Sequence, residues 1–117
     1  MFGISEIGDP IAERRLYLEG EPAVIVRILL GKPQGVPGRA DGFMLCPFRV
    51  LGIGDEKVRC AGGVDAFQAV QLAMEMIGVE LYLKLNRRYG SKLRWEAGKD
   101  GDLGFPVPPG LEKEIRR

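Results

Sequence analysis

The stretch from Leu51 to Val70, LGIGDEKVRCAGGVDAFQAV, crowds glycines, acids, bases and a cysteine into twenty residues. Three chemistries come to mind: a phosphate cradle ahead of a helix, a reactive thiol, and an arginine grip on an anion. Gly52-x-Gly54 fails as a dinucleotide fingerprint, because Lys57 stands where the third glycine belongs and a strand follows. Gly31-Lys32 and Gly98-Lys99 lack the upstream glycine and the following Ser/Thr of a P-loop. Gly62-Gly63 does precede a helix. There, however, Asp65 and Gln68 form a variant capping box, and a carboxylate at a helix start occupies the free N–H groups that an anion would use. Asp100-Gly101-Asp102 lacks the spacing and terminal glutamate of a calcium loop.

The absences narrow the choice further. The chain has no histidine and no threonine, and its only serines are Ser5 and Ser91. Histidine is the commonest general acid/base and the commonest zinc-site nitrogen donor, so Ser-His and Cys-His pairs are excluded. Cys46 and Cys60 read as small core hydrophobes. No catalytic, cofactor-binding or metal-ligating residue is assigned, and the chain reads as a non-enzyme without cofactor. The candidate anion contacts that remain are Arg27, Arg49 and Arg59, with Asp65 nearby in sequence. An arginine pair at Arg49 and Arg59 would suit a carboxylate or phosphate.

Alternation and turn residues set the elements that would carry these groups. Ile11–Glu19 reads as a strand, Gly20-Glu21-Pro22 as a turn, and Ala23–Leu30 as a central β-branched strand. Residues 31–42 hold four glycines and two prolines and form a loop. A third strand covers 43–53, with Pro47 marking an edge or bulge, and a fourth covers 56–60. A three-residue turn at Gly52-Ile53-Gly54 keeps one hairpin face apolar; it sets Cys46 beside Cys60 and puts Arg49 and Arg59 on the other face. A helix runs from about Asp65 to Tyr89 with Phe67, Val70, Met74, Ile77, Leu81 and Leu85 as its core stripe. Gly78 marks a kink or a close contact within it. A short strand at 92–96 follows. The expectation is an α+β fold: an antiparallel four- to five-stranded meander with one long helix packed on one face. Residues 1–10 read as a lead-in, 11–106 as a single domain and 107–117 as a charged tail.

One helix covers one face of a sheet. The other face would then expose Tyr17, Ile25, Leu29, Phe43, Leu45 and Leu51, an apolar patch larger than a monomer usually leaves open. Either Phe105, Val107 and Leu111 fold over it, or another chain does. The second reading makes the chain a protein-interaction module, a homodimer or the binder of another protein. Lys84, Arg87, Arg88, Lys92 and Arg94 near Tyr82, Tyr89 and Trp95 sketch a nucleic-acid surface, but a net charge of +1 argues against it. No run is long and apolar enough to span a membrane, and the first residues lack a signal peptide's pattern; the expected location is the cytoplasm, with both thiols reduced.

Three motifs carry a resemblance: CPFRVLGIG, the helix start GVDAFQA, and DLGFP near the end. Over about Ile11 to Pro106 the chain resembles a family of small bacterial proteins of unknown function. Their pattern is a Cys-Pro-aromatic strand, a Gly-Val-Asp-x-x-Gln-Ala helix start and a closing Gly-Phe-Pro. The resemblance implies no assigned chemistry. By analogy with other compact bacterial α+β proteins, a role as an immunity-type protein is an alternative expectation.

Overall fold

The structure, a computed structural model, describes residues 6–111. Strands β1 (Pro10–Leu18) and β2 (Glu21–Gly31) form an antiparallel hairpin across the turn at Glu19-Gly20. Strand β4 (Met44–Leu51) pairs with β2, and the two-residue β3 (Gln34–Gly35) continues along β4 where the β2 ladder stops. Strand β5 (Arg59–Gly63) lies against β4, and the short β6 (Leu93–Arg94) returns to pair with β1. Every pairing is antiparallel, so the chain is an α+β fold with a meander, widened to six strands by β3 and β6. Pro47 stands in a central strand, between the end of the β2 ladder at Phe48 and the start of the β3 ladder at Leu45. A residue without an N–H is tolerated at such a break.

Helix α1 (Ala66–Gly78) continues without interruption into a π-helical segment (Val79–Leu85) and a last turn (Asn86–Arg88). Its start is built as the capping pattern requires: the Asp65 carboxylate accepts the Gln68 N–H at 2.8 Å, and the Gln68 amide oxygen accepts the Val64 N–H at 2.8 Å. The face it turns to the sheet agrees with the expected stripe at Ile77, Leu81 and Leu85, with Val70 and Met74 packed against the core, and departs from it at Phe67. Ala69, Ala73, Ile77, Leu81 and Leu85 are buried, whereas Phe67 is 89 % exposed. The reason is Gly63. A Cβ there would lie 2.4 Å from the Ala69 nitrogen, so the helix backbone rests almost directly on β5 and only small side chains fit beneath its first turns. The buried residues recur every four positions. In an α-helix that spacing drifts about 40° per step; the wider π turns take up the drift and keep Leu81 and Leu85 on the core side.

The segment after β6 closes the wedge between β1 and the helix. Leu103 is fully buried, and Phe105, Val107 and Leu111 join the same core. The Arg14 guanidinium lies 4.0 Å from the Trp95 ring centre and 4.8 Å from that of Phe105, and it donates to the Gly104 carbonyl at 2.8 Å. The Leu103 N–H donates to the Tyr82 hydroxyl at 2.8 Å, and the Gly104 N–H to the Asp102 carboxylate at 2.8 Å. Phe105, Val107 and Leu111 therefore seal the helix side of the sheet and leave its outer face alone. Residues 112–117 of the expected tail lie outside the described residues.

Gly78 meets this segment directly, since a Cβ on it would stand 2.0 Å from the Pro106 carbonyl oxygen. Exchanging a mid-helix glycine for alanine ordinarily gains about 1 kcal/mol. Here Gly78→Ala is expected to destabilise by about 1–3 kcal/mol, the cost of overpacking. Denaturant unfolding of the two proteins measures the difference, and a stabilised Gly78→Ala would contradict the contact.

Candidate functional site

The outer face of the sheet is less apolar than alternation suggests. Leu29 and Leu45 are buried within the chain. Ile7 and Pro47 both crowd Gly31, where a Cβ would lie 2.8 and 2.7 Å from their side chains, and the Phe43 ring lies over Gly62. Ile7 of the lead-in therefore covers the β4 end of this face, and residues 1–5 of the lead-in lie outside the described residues. Its centre is charged: Arg27 clamps the Glu13 carboxylate with bonds of 2.8 and 3.1 Å, and Arg15 adds a third at 3.2 Å. Of the six residues expected to form an open patch, Tyr17 (46 %) and Ile25 (53 %) are the large exposed ones, while Phe43 and Leu51 are half-buried.

The arginine grip is also redrawn. Phe48 pairs with Arg59, and Cys46 with Ala61, a register one residue away from that of a three-residue turn. The connection runs from Gly52 to Val58 because Ile53 buries itself in the core and the loop binds itself. Glu56 accepts the Gly52 N–H at 2.8 Å, Arg49 donates to the Glu56 carbonyl at 2.7 Å, and Asp55 accepts the Lys57 N–H at 3.0 Å. The changed register turns Arg59 to the helix side, where Asp55 takes both of its terminal nitrogens at 3.1 and 2.9 Å and Glu80 lies 3.8 Å away. Arg49, paired with Leu29, faces outward. Arg49 and Arg59 thus lie on opposite faces, and Arg27, Arg49, Arg59 and Asp65 are all engaged within the chain. Cys60 pairs with Pro47 and so is on the opposite face from Cys46. Burial raises both thiols, that of Cys46 to about 11, which leaves them protonated and poorly nucleophilic near neutrality. Among the described residues no group of three or more His, Cys, Asp and Glu is placed to hold a metal ion, and no helix is long and apolar enough to cross a membrane.

The basic and aromatic residues converge in part. A cleft of about 420 Å³ brings Arg87, Arg94, Tyr82 and Trp95 together, but Glu96, Asp100 and Asp102 line it too. Its sign is mixed. The Tyr82 hydroxyl is taken by Leu103 and Asp102, and Arg14 lies against the Trp95 ring.

The solvent side of the helix is the apolar surface that the sequence reading missed. Of the seven large apolar residues exposed among the described residues, Val64, Phe67, Met76 and Val79 belong to the helix or its entry. Phe67 borders a groove with Ile11, Pro33, Ala66 and Val70, where a one-residue bulge at Ile11 interrupts the register between β1 and β2. Higher on the helix, Leu72, Met76, Val79 and Leu83 follow one another at spacings of four, three and four; Leu72 and Leu83 are half-buried, Met76 and Val79 each 39 % exposed. That heptad-like spacing is present in the sequence and is the signal that could have found them.

Two outcomes follow from this geometry. Phe67→Ser is expected to change stability by no more than about 0.5 kcal/mol, whereas Ile77→Ala costs about 2–5 kcal/mol; thermal unfolding separates the two. The Glu13 carboxyl is held at about 2 by hydrogen bonds from Arg27 and then Arg15, and Asp55 at about 2 chiefly by its bonds to Arg59. Both values are depressed below the unfolded ones, so the stability these pairs contribute is present above the ordinary carboxylate range and is lost as pH falls toward 2. Carboxyl NMR titration is expected to return midpoints near 2, with Glu13 rising toward 4.5 in Arg27→Gln.

Comparison with known proteins adds a family and nothing else. No curated protein and no solved structure matches the chain. Residues 12–107 match the family described as a domain of unknown function, DUF6968. The match takes in both hairpins, the whole helix and the segment through Val107, and the chain accordingly belongs to the DUF6968 family.

Proposed function

We propose that the domain is a non-enzymatic protein-interaction module whose contact surface is the solvent side of its long helix. The observation that carries this reading is the exposure of Met76 and Val79, three residues apart on one flank of the helix, with the half-buried Leu72 and Leu83 on either side of them in the same row. Exposed apolar side chains gathered on one surface, as opposed to scattered singly, mark contact sites. The outer sheet face is the weaker candidate, because the Glu13, Arg15 and Arg27 cluster occupies its centre and a partner would have to desolvate it. An anion-binding role for Arg49 and Arg59 has no support from their placement on opposite faces.

The reading is tested by placing a photo-crosslinking phenylalanine analogue at position 76 in the full chain, with position 99 on an exposed loop as control. A discrete adduct with a polypeptide of one defined mass is expected from position 76 and none from position 99. Absence of any polypeptide adduct at 76, with normal expression and folding, overturns the reading.

A further inference from the structure

We infer that the partner of this surface is a second copy of the chain, docked helix against helix in antiparallel sense through Leu72, Met76, Val79 and Leu83. The inference rests on the reading just given and names its partner. Spacings of four, three and four put apolar groups along a seam suited to another helix, with each side chain entering the gap between neighbours opposite. An extended strand has no use for that periodicity.

The seam is compatible with itself in one sense only. A two-fold axis between Ile77 and Gly78 sets Leu72 level with Leu83 of the second copy and Met76 level with Val79, so every seam residue meets an apolar one. The charge on the helix agrees. From Asp65 to Val79 the ionised residues are Asp65 and Glu75, both acidic; from Glu80 to Tyr89 they are Glu80, Lys84, Arg87 and Arg88. Antiparallel docking lays the acidic half along the basic half and opposes the two helix dipoles. Parallel docking would set the basic ends against each other. The axis also brings Glu75 level with Glu80 of the second copy, but Glu80 is already held by Lys84 at 3.4 Å and Arg59 at 3.8 Å. Two-fold contacts of this kind use one patch twice and close without leaving a free surface for further growth.

The test uses the full chain. Sedimentation over a range of concentrations is expected to show a monomer–dimer equilibrium, and Met76→Lys is expected to weaken it at least tenfold while the circular dichroism melt stays close to that of the parent. A strict monomer at high concentration overturns the inference, as does a dimer that Met76→Lys leaves unchanged. Orientation is read by oxidising a mixture of Leu72→Cys and Leu83→Cys chains, each in a Cys46→Ala, Cys60→Ala background. Mixed disulfides between the two variants support antiparallel docking; disulfides only within each variant overturn it. A position-76 photo-adduct with some other polypeptide, alongside a monomeric chain, sinks the second copy but spares the contact surface. No adduct at all removes both.

Discussion

The approach of the helix to β5 governs most of the structure. At Gly63 the helix backbone comes closer than any side chain would permit, and Ala69 and Ala73 are what fit beneath it. Close packing of this kind leaves no room to rotate the helix. Once the alanines face inward, large residues on either side are carried out: Phe67 toward the bulged start of β1, and Met76 and Val79 toward water, with Leu72 and Leu83 half-buried beside them. The exposed surface is thus a by-product of how the core closes. The π-helical turns belong to the same constraint, because they keep Leu81 and Leu85 inward despite a buried repeat of four.

Much of the framework was legible from alternation and caps. β1 announces itself by the shared face of Ala12, Leu16 and Leu18, β2 by its β-branched run after the turn at Gly20, and the helix start by Asp65 and Gln68. The rest depended on information that no periodicity carries. Five of the six residues of the expected helix stripe lie in or against the core; Phe67 is the exception, and a glycine on another strand decides it. The β4–β5 register depends on a loop whose length is set by the burial of Ile53 and by the Glu56 and Asp55 side chains binding nearby backbone. The lead-in through Ile7 shows no alternation, yet it packs against Gly31 and Pro47 beside the buried Leu29 and Leu45.

The three motifs that carried the family resemblance all have structural work. In the Cys-Pro-Phe run, Cys46 and Phe48 fill the core and Pro47 crowds Gly31. The helix-start motif caps the helix through Asp65 and Gln68. In the closing motif, a Cβ on Gly104 would fall 2.4 Å from Arg14 and 2.5 Å from Trp95, Phe105 lies against the Arg14 guanidinium, and the Pro106 carbonyl meets Gly78. They describe how the domain closes.

That closure links the first strand to nearly the last described residues, with Arg14 and Gly104 separated by 90 in sequence. Contacts so distant along the chain are slow to form, because a long loop must close before they repay it. On the ribosome, β1 emerges early and waits, its Arg14 without rings to rest on, until Trp95 and Phe105 have left the exit tunnel. A nascent chain that has emerged only as far as about residue 95 would carry an open wedge between sheet and helix, and it is this stage of synthesis at which a chaperone has most to cover.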